Sequence, residues 1–162
     1  MATLKEFLIT RKSGIMEIVL KRKPKNKRLS ELLTSQAECV STEDSELSFL
    51  FLALPCLMQE EVPLFYVEEC TEIAVLQPIV VDRCHRNLLM NSYYELYLDK
   101  QLITTAEDLL TAVTLWFCLF WLFDVGYNKH QIKLLSFMDT YIFKKCSVKT
   151  IPRSIKSLFN AM

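Results

Sequence analysis

The most apolar stretch of the chain is LLTAVTLWFCLFWLF, residues 109–123, with Asp108 before it and Asp124 after it. Its 15 residues would extend roughly 22 Å as an α-helix, at about 1.5 Å per residue. A membrane-spanning helix needs about 20 residues to cross roughly 30 Å of hydrocarbon. The stretch is therefore predicted to be the central helix of a protein core, covered on all sides. No contact with a membrane is predicted.

The segments on either side of this helix predict an α+β fold. β-branched and aromatic residues predict strands at about 73–81, 93–98 and 101–103, before the helix. After it, apolar residues recur every three to four positions, which predicts a second helix at about 128–145. We expect a small, mostly antiparallel sheet packed against helices. The chain would end in an antiparallel helix pair, about 105–124 and 128–145.

The amino-terminal residues 4–21 contain two short apolar runs on either side of Gly14. Alternation of apolar residues around a Gly-containing connection predicts a β-hairpin, and a helix through Leu4, Phe7 and Leu8 is the alternative. The length of 162 residues predicts one domain, 1–162. Within it, residues 1–28 would form a basic hairpin or extension, and 29–162 the core.

Charge is segregated along a chain that is neutral overall, with 19 basic and 19 acidic side chains. The basic excess is concentrated in one candidate basic patch, formed by Lys21, Arg22, Lys23, Lys25, Lys27 and Arg28. A solvated loop that offsets the acidic middle of the chain is the favoured interpretation. A nuclear import signal or a phosphate-binding patch is the alternative.

The sequence offers little support for catalysis. Two glycines are too few for a Gly-rich phosphate loop, and no CxxC pair indicates a zinc site. Cys84 and His85 are adjacent, but neighbouring residues of a strand point to opposite faces. The pair Glu60-Glu61 is predicted to lie on a solvated surface. We therefore predict no enzyme, no catalytic, cofactor-binding or metal-binding residues, and no cofactor. The six cysteines are expected to be reduced core thiols of an intracellular protein, nuclear or cytoplasmic.

Large aromatic side chains crowd the predicted central helix. Trp116, Phe120 and Trp121 form a candidate apolar interface, because a helix apolar on two sides needs a partner's surface in a small domain. The leading functional hypothesis is a non-catalytic module for protein–protein interaction or self-association. The expected partner is a protein, and a second copy of this chain is one candidate. The alternative is a nuclear protein that associates with nucleic acid through residues 21–28.

Several short motifs also suggest a family resemblance: LFLALP at 50–55, PIVV at 78–81, YELYLDK at 94–100 and DVGY at 124–127. With them, about residues 50–160 resemble the C-terminal region of a transposon-associated group of uncharacterised animal proteins, named sterile-alpha-motif-domain-containing-like. That group has no known activity, so the resemblance implies no catalytic residues. The chain differs from the group at Asp124, and no sterile alpha motif fits into residues 1–40.

Overall fold

The computed structural model describes residues 3–66, 75–83, 89, 93–127, 129–145 and 150–162. Its helices are α1 Leu4–Arg22, α2 Lys27–Ala37, α3 Glu43–Met58, α4 Leu109–Leu122, α5 Ile132–Phe137 and α6 Arg153–Ala161. Its strands are β1 Leu64–Tyr66, β2 Ile79–Asp82, β3 Tyr94–Leu98 and β4 Gln101–Ala106. A short 3₁₀ turn, Lys23–Lys25, joins α1 to α2, and a π-helical turn, Met138–Ile142, continues α5. The predicted α+β class is confirmed.

The chain forms two compact units. The first contains Met1–Val62 together with Lys129–Met162, and the second contains Pro63–Asn128. Whether both belong to one cooperatively folding domain, 1–162, stays a prediction. So does the antiparallel pairing of the two helices predicted at 105–124 and 128–145, since α4 lies in the second unit and α5 in the first.

The first unit is helical among its described residues, and α3 is its centre. Every residue of α3 from Leu47 to Met58 is buried, and α1, α2 and α5 pack against it. The helix begins with a capping box in which the Thr42 hydroxyl accepts from the Ser45 N–H, and Thr42 N–H donates to Ser45. The helix ends at Met58, three residues after Pro55. The next residue, Gln59, adopts a left-handed conformation with φ 59°.

The hairpin predicted for residues 4–21 is wrong, because these residues form α1. A capping box between Thr3 and Glu6 starts the helix. Its buried side chains recur at helical intervals and face α3: Leu4, Phe7, Leu8, Ile15, Ile18 and Val19. Residues 4–22 are therefore part of the packed first unit, and the alternative interpretation through Leu4, Phe7 and Leu8 is confirmed.

The second unit is a four-stranded sheet in the order β1-β2-β3-β4, with α4 packed on β2, β3 and β4. β1 runs parallel to β2, while the β2–β3 and β3–β4 pairs are antiparallel. Asp99 and Lys100 form the tight turn between β3 and β4, both with positive φ. Their backbone N–H groups donate to the carbonyls of Leu76 and Val75, at 2.9 and 3.2 Å.

The predicted bounds of four elements need correction. The helix predicted at about 128–145 is α5, Ile132–Phe137, continued by the π-helical turn Met138–Ile142, and residue 128 lies outside the described residues. Of the strand predicted at 73–81, residues 73 and 74 lie outside the described residues, 75–78 are not in a strand, and β2 starts only after Pro78. The strand predicted at 101–103 continues to Ala106. The helix predicted from residue 105 begins at Leu109, because the Asp108 carboxylate accepts from the Thr111 N–H at 2.8 Å and caps it there.

Candidate interaction surfaces

The basic run at 21–28 contains four cations that are committed to partners within the chain. Lys21 donates to Glu17 at 2.5 Å, one turn away on α1, and Lys27 lies 3.5 Å from Glu31 on α2. The two arginines of the run reach backbone carbonyls at the end of α3. Four of the six side chains in the candidate basic patch thus have intramolecular partners.

The carboxyl end of α3 is bound by three cationic side chains. Arg22 Nη1 donates to the Leu57 carbonyl at 3.2 Å, Arg28 Nη1 to the Glu60 carbonyl at 3.1 Å, and Lys133 Nζ to the Met58 carbonyl at 2.8 Å. The last carbonyls of a helix have no partner within the helix, and they carry partial negative charge. The cations therefore satisfy and stabilise this end. A neutral group, Asn26 Nδ2, donates to the Cys56 carbonyl at 3.0 Å.

Lys23 and Lys25 differ from the rest of the run. Within the part of the chain that the structure describes, neither makes a hydrogen bond or ion pair, and both are exposed. They line a shallow hollow of about 600 Å³ together with Lys27 and Ser30. The free positive charge of the basic run is concentrated at these two lysines.

Glu60 was predicted to be solvated, but it is buried, with 7% of its surface exposed. Its two carboxylate oxygens accept from the backbone N–H groups of Lys133 and Leu134, each at 2.8 Å, where α5 begins. Burial raises the pKa of this carboxyl above its ordinary value, although the two backbone donors act in the opposite direction. The prediction was wrong for Glu60, whereas the adjacent Glu61 is exposed as expected.

The candidate apolar interface separates into core and surface. Trp116 and Phe120 are 0% and 3% exposed, with their rings in edge contact at a centroid distance of 5.3 Å. The indole N–H of Trp116 donates to the Pro78 carbonyl at 2.9 Å, which ties α4 to the sheet. Trp121 is 41% exposed. Only Trp121 of the three predicted residues thus lies at the surface.

The end of α4 exposes three consecutive large apolar side chains, which we call the α4-end patch. Trp121 is followed by Leu122 and Phe123, which are 75% and 53% exposed. The prediction that the stretch 109–123 is covered on all sides is therefore wrong for its last turn. The buried residues of α4 extend from Leu109 to Phe120, and the exposed patch begins at the next residue.

A second exposed apolar group, the β4 patch, consists of Leu102 and Ile103, which are 50% and 41% exposed. β4 is the last strand in the sheet order. Its register shifts between the Tyr97–Leu102 and Leu96–Thr104 pairs, so that Ile103 is the extra residue of a β-bulge. A bulge bends an edge strand and discourages pairing with another strand, but it leaves the side chains available for contact.

The remaining chemistry-bearing residues do not converge in the part of the chain that is described. There, no group of three or more His, Cys, Asp or Glu side chains is placed to hold a metal ion. Cys39, Cys56 and Cys118 form no disulfide with one another, and burial raises the pKa of the Cys56 thiol. Cys84 and His85 lie outside the described residues. Among the described helices, none combines the length and apolar character needed to cross a membrane.

Comparison with known proteins finds no matching family model, no matching curated protein and no matching solved structure. The resemblance of about residues 50–160 to the sterile-alpha-motif-domain-containing-like group stays a prediction.

Proposed function

We propose that this protein is a non-catalytic protein–protein interaction module that associates with a second copy of itself through the α4-end patch. The observation that carries the proposal is the run of three exposed apolar side chains, Trp121 to Phe123. Large apolar residues exposed one after another at the end of a helix are unfavourable in water unless a partner covers them.

A second copy suits this patch because the patch carries no charge and the chain has a net charge of zero. In a two-fold symmetric contact, the same surface meets itself, so the apolar patch of one copy meets the apolar patch of the other. A two-fold contact covers three half-exposed side chains on each copy, which together contribute on the order of 6–10 kcal/mol. Association costs about 4–15 kcal/mol, so the expected dimer is weak and concentration-dependent.

The experiment is sedimentation velocity of the full chain over a wide concentration range, with paired variants. Leu122→Ser and Phe123→Ser should shift the equilibrium to the monomer. The matched controls are Ile9→Ser and Leu20→Ser, which remove exposed apolar side chains of α1, 49% and 58% exposed, from the other unit. These controls should dimerise like the wild type. A strict monomer at every concentration, or equal effects of both pairs, would overturn the proposal.

The second candidate function, nucleic-acid association in the nucleus, is supported by Lys23 and Lys25, which have no hydrogen-bond or ion-pair partner among the described residues. Binding through them would weaken with salt by about one unit of slope per phosphate contact. Replacing both by Ser should therefore lower the slope for duplex DNA by about two. Replacing Lys21 and Lys27, which have acidic partners, should change it less. DNA binding that the Lys23 and Lys25 replacements leave unaltered would contradict this function.

A further inference from the structure

The first unit contains a cavity of about 230 Å³ between α1, the π-helical turn and α6. Its walls combine aromatic rings, cations and one carboxylate: Phe7, Arg11, Tyr141, Lys144, Phe159 and Glu6, with Thr10 at the side. The Tyr141 and Phe159 rings are stacked, with centroids 4.0 Å apart and planes at 14°. The cavity therefore has a rigid apolar wall beside a cationic rim.

Arg11 contacts this wall over the ring of Phe159. Its guanidinium carbon is 4.7 Å from the centroid of the Phe159 ring, a cation–π contact. The Phe159 ring thus contacts both Tyr141 and Arg11. A stacked guanidinium keeps its N–H donors at its edge, available for an oxyanion. Among the described residues, Arg11 has no hydrogen-bond acceptor or ion-pair partner.

Lys144 supplies the second positive charge. Its backbone has φ 53°, a left-handed conformation that costs about 1–2 kcal/mol for a residue other than glycine. It follows the π-helical turn, and both features are frequent at functional sites. Lys144 is exposed, and it makes no ion pair with any residue that the structure describes.

Glu6, the one carboxylate in the wall, is already engaged. Its Oε2 accepts from the backbone N–H of Thr3 at 2.7 Å, as part of the capping box of α1. Thr10 is likewise committed, because its hydroxyl donates to the Glu6 carbonyl at 2.8 Å. Among the described residues that line this cavity, the two cations therefore outnumber the single, hydrogen-bonded carboxylate.

We infer that this cavity binds a phosphate or carboxylate oxyanion carried on an aromatic ring. The oxyanion would be held by the Arg11 guanidinium edge and the Lys144 ammonium, while the ring would pack on Phe7 and Tyr141. Charge-assisted hydrogen bonds to a fixed guanidinium are short and strong, and aromatic pairs add to the burial of the ring. This site lies on elements other than the α4-end patch and does not depend on it.

The test is calorimetric titration of the full chain with phenyl phosphate, using inorganic phosphate and phenol as reference probes. Phenyl phosphate should bind at least about tenfold more tightly than either reference, since each reference lacks one half of the recognition. Equal or absent binding of all three would overturn the inference. A short neutral peptide containing phosphotyrosine separates two sources of the same chemistry. Binding tighter than that of phenyl phosphate assigns a peptide side chain, and weaker binding assigns a free small molecule.

Variants connect the affinity to the cavity. Arg11→Gln and Lys144→Gln should each weaken phenyl phosphate binding about tenfold or more, because each removes a charged hydrogen bond. The matched control is Lys156→Gln, which should bind like the wild type, because Lys156 is exposed on α6 and has no ion-pair partner among the described residues. Unchanged affinity in Arg11→Gln, with its melting temperature also unchanged, would contradict the site. Lys144→Gly keeps the left-handed backbone and removes the ammonium, so its loss of affinity should match that of Lys144→Gln.

Discussion

The buried carboxylate of Glu60 accepts a 2.8 Å hydrogen bond from the backbone N–H of Lys133, 73 residues further along the chain. The Lys133 ammonium returns to the Met58 carbonyl at the end of α3. The end of α3 and the beginning of α5 therefore satisfy each other, with the carboxylate on the free N–H groups and the cation on a free carbonyl. This reciprocal arrangement joins the two sequence segments of the first unit.

Glu60→Ala should destabilise the protein by about 1–3 kcal/mol, because it leaves the N–H groups of Lys133 and Leu134 without their acceptors. The matched control is Glu61→Ala, since Glu61 is the exposed neighbour. Its free energy of unfolding should stay within about 0.5 kcal/mol of the wild type. Urea unfolding of both variants measures the difference. Equal effects would contradict the assigned role of Glu60.

The pKa of Glu60 is raised by burial, so the folded chain binds this proton more tightly than the unfolded chain does. Its contribution to stability is complete below the ordinary value of 4.5 and is lost as the pH rises through the raised folded value. The free-energy difference between the wild type and Glu60→Gln, which does not titrate, should therefore fall with rising pH above about 4.5. Urea titrations at several pH values measure this slope, and a rising difference would contradict the direction.

Replacing cations of the basic run should lower stability only where the side chain has a partner within the chain. Arg28→Ala removes the 3.1 Å hydrogen bond to the Glu60 carbonyl and should cost about 0.5–1.5 kcal/mol. Lys25→Ala removes an exposed side chain with no partner among the described residues, so it should change stability by less than about 0.5 kcal/mol. Thermal unfolding of both variants provides the comparison. A larger loss in Lys25→Ala would reverse the assignment.

Gly14→Ala should destabilise the protein, against the usual gain of about 0.5–1 kcal/mol for this change inside a helix. A Cβ at Gly14 would lie 2.5 Å from the carbonyl carbon and 2.7 Å from the Cα of Met162, so the end of α6 would have to move. We expect a loss of about 1–3 kcal/mol, typical of overpacking. Gly126→Ala is the control, because no atom of a described residue, apart from its chain neighbours, lies within 4 Å of its Cβ. Equal melting temperatures of the two variants would exclude the predicted clash.

Lys100→Gly should stabilise the turn between β3 and β4 by about 0.5–1 kcal/mol, because Lys100 has φ 66° and glycine adopts this conformation without steric cost. Lys100→Ala keeps the Cβ and should bring no such gain. Thermal unfolding distinguishes the two substitutions. A stabilised Lys100→Ala with an unstable Lys100→Gly would show that side-chain chemistry, and not backbone conformation, limits this turn.

Local patterns predicted the elements whose structure depends on nearby residues. Tyr94 to Leu98 alternates as a strand does, and the turn at Asp99 and Lys100 leads directly into β4, so both were recognisable from spacing. α1 was not, because Ile15, Met16, Ile18 and Leu20 occur so close together that they fit a strand with one apolar face as well as a helix. In the structure, Ile15, Ile18 and Val19 are buried at helical spacing. The helix is favoured over a strand by its packing against α3, which local sequence does not show.

Long-range polar contacts were beyond sequence patterns for a physical reason. Arg28 reaches the Glu60 carbonyl across 32 residues, and Arg22 reaches the Leu57 carbonyl across 35. Every residue has a backbone carbonyl, so the residue type does not predict which carbonyl will accept a side-chain hydrogen bond. The same holds for Glu60, whose partners are backbone N–H groups. The run was consequently interpreted as a solvated loop, although Arg22 and Arg28 lie in helices and donate to carbonyls at the end of α3.

The first unit is built from two segments of the chain that are separated by the second unit, and this determines the order in which the two units can fold during synthesis. A ribosome finishes the whole of Pro63–Asn128 before it makes Lys133, so the second unit can be complete while the first still lacks its closing segment. At a translation rate of about 5–20 residues per second, Lys133 is synthesised roughly 4–15 s after Glu60, which binds its backbone N–H. Nascent α1, α2 and α3 therefore expose the surface of α3 that α5 later covers. A chaperone would be most useful in the interval before α5 is synthesised.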